Sequence, residues 1–175
     1  METLNPIIFL DIDGVLCTQK GIEYHMRTSN ETHDDYGQLF CPKAVECLDK
    51  IITTHHAEIV LISSWRKSFY STAEIQKFFN DRKITWKVHS ATGIYKKKLK
   101  RGEEIQLWMK KFGRPEKFVI IDDDADFDIT EFFPGKTVNT NEIEGIADRR
   151  SYRRANAIIK RTEVEEVETK VNSIF

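Results

Sequence analysis

The sequence predicts an α/β protein built as three layers around a doubly wound parallel sheet. Three observations predict it. Short, wholly apolar runs occur at Ile7–Leu10, Ile59–Ile62 and Phe118–Ile121, as strands buried on both faces do. Each run ends on polar residues: Asp11, then Ser63 and Ser64, then Asp122, Asp123 and Asp124. Between the runs lie segments with apolar residues at three- and four-residue spacing, which gives β-α-β units joined by right-handed crossovers.

Taken in order, Ile7–Leu10 opens the sheet. The stretch from Thr18 to Phe40 is polar and shows no clear period, so it is expected as a loop or hairpin over the site. A helix follows from Pro42 to about Thr54, with Ala44, Val45, Leu48, Ile51 and Ile52 on one face and Pro42 suited to its first turn. His55 and His56 at its end fit a C-terminal cap. After the strand at 59–62, Thr72 to Arg82 carries Ile75, Phe78 and Phe79 at helical spacing. A weaker apolar run, Ile84 to Val88, is the fourth expected strand. Gly102 to Lys111 reads as a helix stopped by Phe112-Gly113, leading into the strand at 118–121. From Asp148 to Phe175 a basic part (Arg149, Arg150, Arg153, Arg154, Lys160, Arg161) precedes an acidic one, and both read as a helical extension with solvated faces.

The chain has 175 residues, with 27 Lys and Arg against 28 Asp and Glu and a formal net charge of -1, which fits one domain over 1–175. No apolar run approaches the ~18 residues of a membrane span, and the start reads as a buried strand rather than a signal peptide. Near-zero net charge argues against nonspecific coating of nucleic acid, though local basic patches remain. Cys17, Cys41 and Cys47 are an odd number without a C-x-x-C pair, which argues against a disulfide scaffold or zinc knuckle and fits the reducing cytoplasm. Cys17 has no evident base and reads as a small buried side chain. The histidines lack metal-ligand spacing, while His25 and Arg27 in the polar stretch are candidates for substrate contact.

In an open α/β sheet, ligands bind beyond the carboxyl ends of the strands. Carboxylates gathered there repel one another and call for a cation. An all-oxygen donor set suits a hard ion such as Mg2+. Asp11 and Asp13, two residues apart in extended chain, share a side, and Gly14 lets the backbone turn sharply. Asp-x-Asp-Gly alone also fits a calcium-type or turn loop; its place after a buried strand, with two further polar strand ends, favours a catalytic role.

FLDIDGVL, VLISSW, the basic KKKLKRGEEI and FVIIDDD, taken together and in this order, resemble the haloacid dehalogenase (HAD) superfamily. The further wording SSWR, RGEEIQLWM and FVIIDDDADF looks like the small HAD subgroup associated with RNA repair. The resemblance implies an HAD-like (Rossmannoid) fold and a Mg2+-dependent phosphomonoesterase. Asp11 matches the nucleophile that forms an aspartyl-phosphate, and Asp13 the general acid–base whose backbone carbonyl also reaches the metal. Ser63 matches the hydroxyl that binds a phosphoryl oxygen, with Ser64 as the alternative. Asp122 and Asp123 match the metal-binding carboxylates; Asp124 and Asp126 are lesser candidates. The phosphate-facing cation is expected to be Arg101, with Lys96, Lys97, Lys98 and Lys100 competing. Gly14, Ser64, Trp65, Arg66, Lys98 and Lys100 are the expected substrate-binding residues, and Trp65 is read either as core or as a platform for a base.

Only residues 18–40 are available as a cap, so the site is expected to be essentially capless. An open site suits phosphates on large molecules, here RNA or DNA ends contacted by the basic loop and the Arg149–Arg161 helix. A small-molecule phosphatase with a miniature lid, or a non-catalytic binding protein keeping the fold, are the alternatives.

Overall fold

The structure is a computed structural model that describes residues 4–124 and 127–161. Strand β1 (Ile7–Leu10) is followed by helix α1 (Gln19–Thr28) and a small antiparallel hairpin, β2 (His33–Asp34) and β3 (Gly37–Gln38). Then come α2 (Pro42–His55), β4 (Glu58–Leu61), α3 (Thr72–Asp81) and β5 (Val88–Ala91). The chain continues through α4 (Arg101–Phe112), β6 (Phe118–Asp122), α5 (Phe127–Phe132), β7 (Thr137–Asn139) and α6 (Arg149–Lys160). Five strands form one parallel sheet in the order β5-β4-β1-β6-β7. The chain winds outward from β1 through β4 to β5, then crosses to β6 and β7. β1 therefore sits where the winding reverses, the place at which such sheets bind ligands.

Alternation along β1 divides the core. Ile8 and Leu10 join α2, α3 and α6 on one face, whereas Ile7 and Phe9 join α4 and α5 on the other. Every residue of β1, β4 and β6 is buried, which is why these strands read as unbroken apolar runs. In-register pairing of Leu10 with Leu61 and Ile121 brings the three strands out level, so their polar ends meet.

Several expectations change. The fourth strand is Val88–Ala91 rather than Ile84–Val88: Ile84 and Trp86 are buried in the core, but the chain extends only from Val88. β5 is an edge strand of alternating burial, so it lacks the signature of its neighbours. β7 was not expected; its three residues follow Pro134-Gly135 and are too few to show a pattern. The polar stretch 18–40 contains a helix as well as a hairpin. In α1 only Gly21 is buried, which leaves no apolar period, and Thr18 caps it by accepting from the Gly21 N–H at 3.1 Å.

This excursion is fastened to the body by Arg82. Its guanidinium donates to Asp34 at 2.7 and 2.9 Å and lies over the Phe40 ring at 4.2 Å and the Phe78 ring at 4.8 Å. Burial works against the Asp34 carboxylate, yet the Arg82 bonds and the backbone N–H groups of Tyr36 and Gly37 hold it below its usual range. Helix α6 is capped by Asp148, which accepts from the Ser151 N–H at 2.9 Å, and it buries Ala155, Ile158 and Ile159 against the sheet with its arginines outward. The acidic part expected after it lies outside the described residues. His56 closes α2 in the left-handed conformation, while the His55 ring pairs with Asn156 at 2.7 Å. Among the described residues, no helix is long and apolar enough to cross a membrane.

A buttress from the far side of the sheet holds the loop after β1. The Ile146 N–H donates to Val15 O at 3.1 Å, and Thr140 Oγ1 donates to Gly14 O at 2.9 Å. Gly145, at φ 60°, lies so close that a Cβ would overlap the Val15 carbonyl. Gly145→Ala is therefore expected to cost about 2 kcal/mol, seen as a melting temperature lower by about 4–8 °C. A Gly145→Ala protein as stable as wild type would refute this close packing.

Candidate active site

β1 delivers Asp11 at the end of a strand whose neighbours are both apolar. Its backbone N–H continues the ladder to Ile121 O at 3.0 Å, while the carboxyl, 4% exposed with its residue, faces the strand ends. The chain then turns back at once: the N–H groups of Leu16 and Cys17 both donate to Ile12 O, and that of Gly14 to Cys17 O. The turn needs φ 64° at Gly14, and a side chain there would run into the Asp123 carboxylate. Gly14 thus shapes the site by letting Asp123 lie against its backbone, a role different from direct contact with a ligand.

Three carboxylates, Asp11, Asp122 and Asp123, each place an oxygen within 4.8 Å of the others. Asp122 is fully buried; one of its oxygens accepts from the Asp124 N–H at 2.9 Å. The other accepts from Arg101 Nη1 at 2.5 Å, and the same nitrogen lies 3.2 Å from Asp11 Oδ1. Arg101 is the first residue of α4, so the helix start aims the guanidinium into the carboxylates. Burial works against its charge, but Asp122 and Asp11 more than offset this and raise its pKa. Lys98 and Lys100, with Lys96 and Lys97, are exposed along the same cleft instead. Three carboxylates facing one guanidinium leave an excess of negative charge and an all-oxygen donor set, which fits a hard divalent cation. The Asp13 carboxylate is not in this group; its expected link to a metal runs through the backbone carbonyl.

Burial pushes the Asp11 carboxyl up to about 7; Arg101 pulls it back, Asp122 raises it again, and the Ser63 hydroxyl favours its ionised form. Asp123 is likewise raised, by burial first and then by Asp122.

The second strand end supplies Ser63 and the 3-10 turn Ser64–Ser68. Ser63 is fully buried beneath Asp11, whereas Ser64 is exposed at the cleft. Trp65 is neither simply core nor simply platform. Its ring packs against Phe40 and Phe78, and its Nε1–H donates to both oxygens of the Asp13 carboxylate, at 3.0 and 3.2 Å. Arg66, expected to bind substrate, is 5% exposed and turned inward. Its Nη1 donates to Ile62 O at 2.8 Å and Ser63 O at 2.9 Å, and its Nη2 to Glu104 at 2.7 Å, so both terminal nitrogens serve to hold the Ser63 turn against α4.

Cys17 is buried, and its thiol is pushed up to about 12 by burial first and then by Asp13, which removes it as a nucleophile. The His25 ring is bonded to Phe40 O at 2.8 Å, and Arg27 Nε donates to Glu23 O; neither lines the cleft. Asp124 lines the cleft, and Asp126 lies outside the described residues. Four supporting residues have no counterpart among the sequence expectations. Glu104 and Thr140 make the bonds described above. Gly145 packs on the turn, and Asn139, its amide nitrogen turned inward, donates to the carbonyls of Asp122 and Asp123. Glu104 lies in the quoted RGEEI wording but without a role attached, and nothing in the local sequence marks the other three, because each acts on a segment distant in the chain.

The cleft measures about 1040 Å3 and runs from Asp11 along the 94–101 segment. No residue of the 18–40 stretch is among those lining it.

An acid whose folded-state pKa lies above its unfolded value weakens the fold as it ionises. For Asp11 the cost appears as pH rises above about 4 and is complete above about 7. In metal-free buffer at pH 8, Asp11→Asn should raise the melting temperature by at least about 3 °C, and the gain should shrink towards pH 5. A variant less stable than wild type at pH 8 would mean that Asp11 is held ionised at no cost.

Searches of curated proteins and of solved structures return no match. A family model described as the HAD domain in Swiss Army Knife RNA repair proteins matches residues 7–150. The matched segment carries Asp11, Asp13, Ser63, Arg101, Asp122 and Asp123 together with all five sheet strands, and the chain belongs to this HAD family.

Proposed function

We propose that the protein is a Mg2+-dependent phosphomonoesterase that works through an aspartyl-phosphate and acts on the terminal phosphate of a polynucleotide. The observation that carries this reading is Asp11 held between Arg101 and a pair of carboxylates, with a second acid, Asp13, fixed separately beside it. A divalent ion held by Asp11, Asp122 and Asp123 would neutralise charge on the phosphoryl oxygens.

The chain's own groups do the rest. An Asp11 oxygen attacks phosphorus, forming an acyl phosphate as the phosphorus–oxygen ester bond breaks. Asp13, as the acid, gives its proton to the departing oxygen. The resulting Asp13 carboxylate takes a proton from water, which attacks phosphorus and frees Asp11. Arg101 offsets charge on Asp11 and on the transferring group, the buried Ser63 hydroxyl favours ionised Asp11, and Ser64, exposed at the cleft, is the hydroxyl placed to donate to a phosphoryl oxygen. Trp65 acts as a positioning residue: its indole N–H holds the Asp13 carboxylate in place.

Two features favour a large substrate over a small one. The 18–40 stretch is held by the Asp34–Arg82 pair beside Trp65 and borders an adjoining hollow through Asp35 and Tyr36, so the cleft running from Asp11 along residues 94–101 stays open. Exposed Lys96, Lys97, Lys98 and Lys100 border it, where phosphates flanking the reacting one would lie. The basic face of α6 is not part of that lining. Three buried, unpaired thiols fit a reducing compartment, and the cytoplasm is the proposed location.

Phosphate release with Mg2+ on 5'-phosphorylated, 3'-phosphorylated and 2',3'-cyclic-phosphate oligonucleotides, and on mononucleotides, tests the reading. One oligonucleotide end should be preferred, with Asp11→Asn below about 1% of wild type. Mononucleotides favoured over every oligonucleotide would transfer the assignment to a small-molecule phosphatase. Trp65→Phe should slow release from nucleotide esters about 10- to 100-fold, as loss of one hydrogen bond to a charged group predicts. Measured as kcat/KM, which reports the first step and not the shared hydrolysis of the acyl phosphate, the loss with p-nitrophenyl phosphate, whose leaving group needs no proton, should stay under about threefold. Equal losses on both substrates would reduce Trp65 to a packing residue.

A further inference from the structure

Exposed aromatic and aliphatic side chains are not scattered over this surface. Among the described residues, nine large hydrophobic side chains are exposed, and five of them, Tyr70, Ile94, Tyr95, Leu107 and Phe112, line a single groove of about 360 Å3. The groove runs beside the catalytic cleft, and the two share Ile94 and Tyr95. An isolated exposed apolar residue needs no explanation; a contiguous row opening from a reaction cleft marks a binding surface.

The charge around the row identifies the occupant. Lys96, Lys97, Lys98 and Lys100 follow Tyr95 directly along the chain and stand exposed at the cleft, Lys67 lines that cleft, and Lys111 lines the groove. A lysine border beside aromatic faces is the arrangement that single-stranded nucleic acid requires: phosphates lie along the cations while successive bases stack on rings. A protein segment seated in an apolar groove would need no such row of cations, and duplex bases, already stacked, cannot use the rings.

Tyr70 is prepared for stacking. Its side chain is 97% exposed, but its backbone is not free. The Tyr70 N–H donates to Glu74 Oε2 at 2.7 Å, and Ser71 Oγ accepts from the Glu74 N–H at 3.2 Å, which pins the residue to the first turn of α3. A ring presented on a fixed backbone loses little freedom when a base covers it.

We propose that the groove between the start of α3, the 92–95 segment and the end of α4 is a stacking track for single-stranded polynucleotide, holding the nucleotides next to the reacting terminal phosphate. The proposal rests on the phosphatase reading for its direction and extends it, because the track would make the enzyme choose unpaired ends.

Binding of oligouridylate and oligothymidylate without terminal phosphates tests it independently of catalysis. Fluorescence anisotropy would follow labelled strands of two to eight nucleotides bound to the full chain. Affinity should rise at least about tenfold between two and five nucleotides and then level off, and a blunt duplex of equal length should bind less tightly. Tyr70→Ala should weaken the five-nucleotide strand at least about fivefold, whereas Tyr70→Phe, which keeps the ring, should stay within about twofold. Tyr70 is 97% exposed, so its truncation should leave the core intact, and circular dichroism checks that the variant folds. Affinity independent of length, or unchanged in Tyr70→Ala while still falling with salt, would overturn the track and leave lysine contacts alone. Either result leaves phosphate release from the terminally phosphorylated panel as a separate question.

Discussion

Carboxylates do not gather at the end of a buried sheet without a cation among them, and in this protein the cation is Arg101. One nitrogen reaches both Asp122 and Asp11, so the guanidinium is shared between a fully buried acid and the proposed nucleophile. The rest of the site follows from keeping that contact possible. Helix α4 must begin at Arg101, which places Glu104 one turn on, against Arg66. Arg66 in turn holds the carbonyls of Ile62 and Ser63, so the hydroxyl turn on β4 is set by the helix that carries the cation. A planar guanidinium can serve two acids at once, which an ammonium on a flexible stem does less well.

The compensation is incomplete, and that is chemically useful. With Arg101 in place, Asp11 still titrates near neutrality, because burial outweighs the pairing. Such a carboxylate is poorly satisfied by the protein alone and gains most from a cation or an electrophile brought from outside. Stability withheld at this position is available to whatever binds there, the usual relation between a strained site and its task.

Much of this was legible in the sequence where the local pattern and the tertiary role coincide. β1, β4 and β6 are buried on both faces, so they show as unbroken apolar runs, and the acids and serines that end them mark the site without further help. Arg101 could be favoured over the neighbouring lysines because it stands where the helix begins and because the RGEEI wording resembles the family's. Legibility failed where a residue's role is fixed by something remote. α1 buries only Gly21 and so carries no period, and β7 is a three-residue strand held by β6. Arg66 reads as a free cation, yet its partner is Glu104 on another element. Trp65 reads as core or platform, while its N–H belongs to Asp13 across the turn. Thr140 and Gly145 are invisible locally because their work is done on the β1 turn.

The excursion between β1 and α2 leaves and re-enters the body at one point: the Cys41 N–H donates to Leu16 O at 2.7 Å, so its two ends are tied side by side. A segment closed at its base in this way can grow, shrink or be exchanged with small entropic consequence for the frame beneath, since the cost of a longer closed loop rises only logarithmically. The Ile12–Cys17 turn is also held from outside the excursion, by Thr140 on the Gly14 carbonyl and Ile146 on the Val15 carbonyl. A change in the size of this segment would alter what surrounds Trp65 and Asp13, while the Asp11, Asp122 and Arg101 contacts arise from β1, β6 and α4.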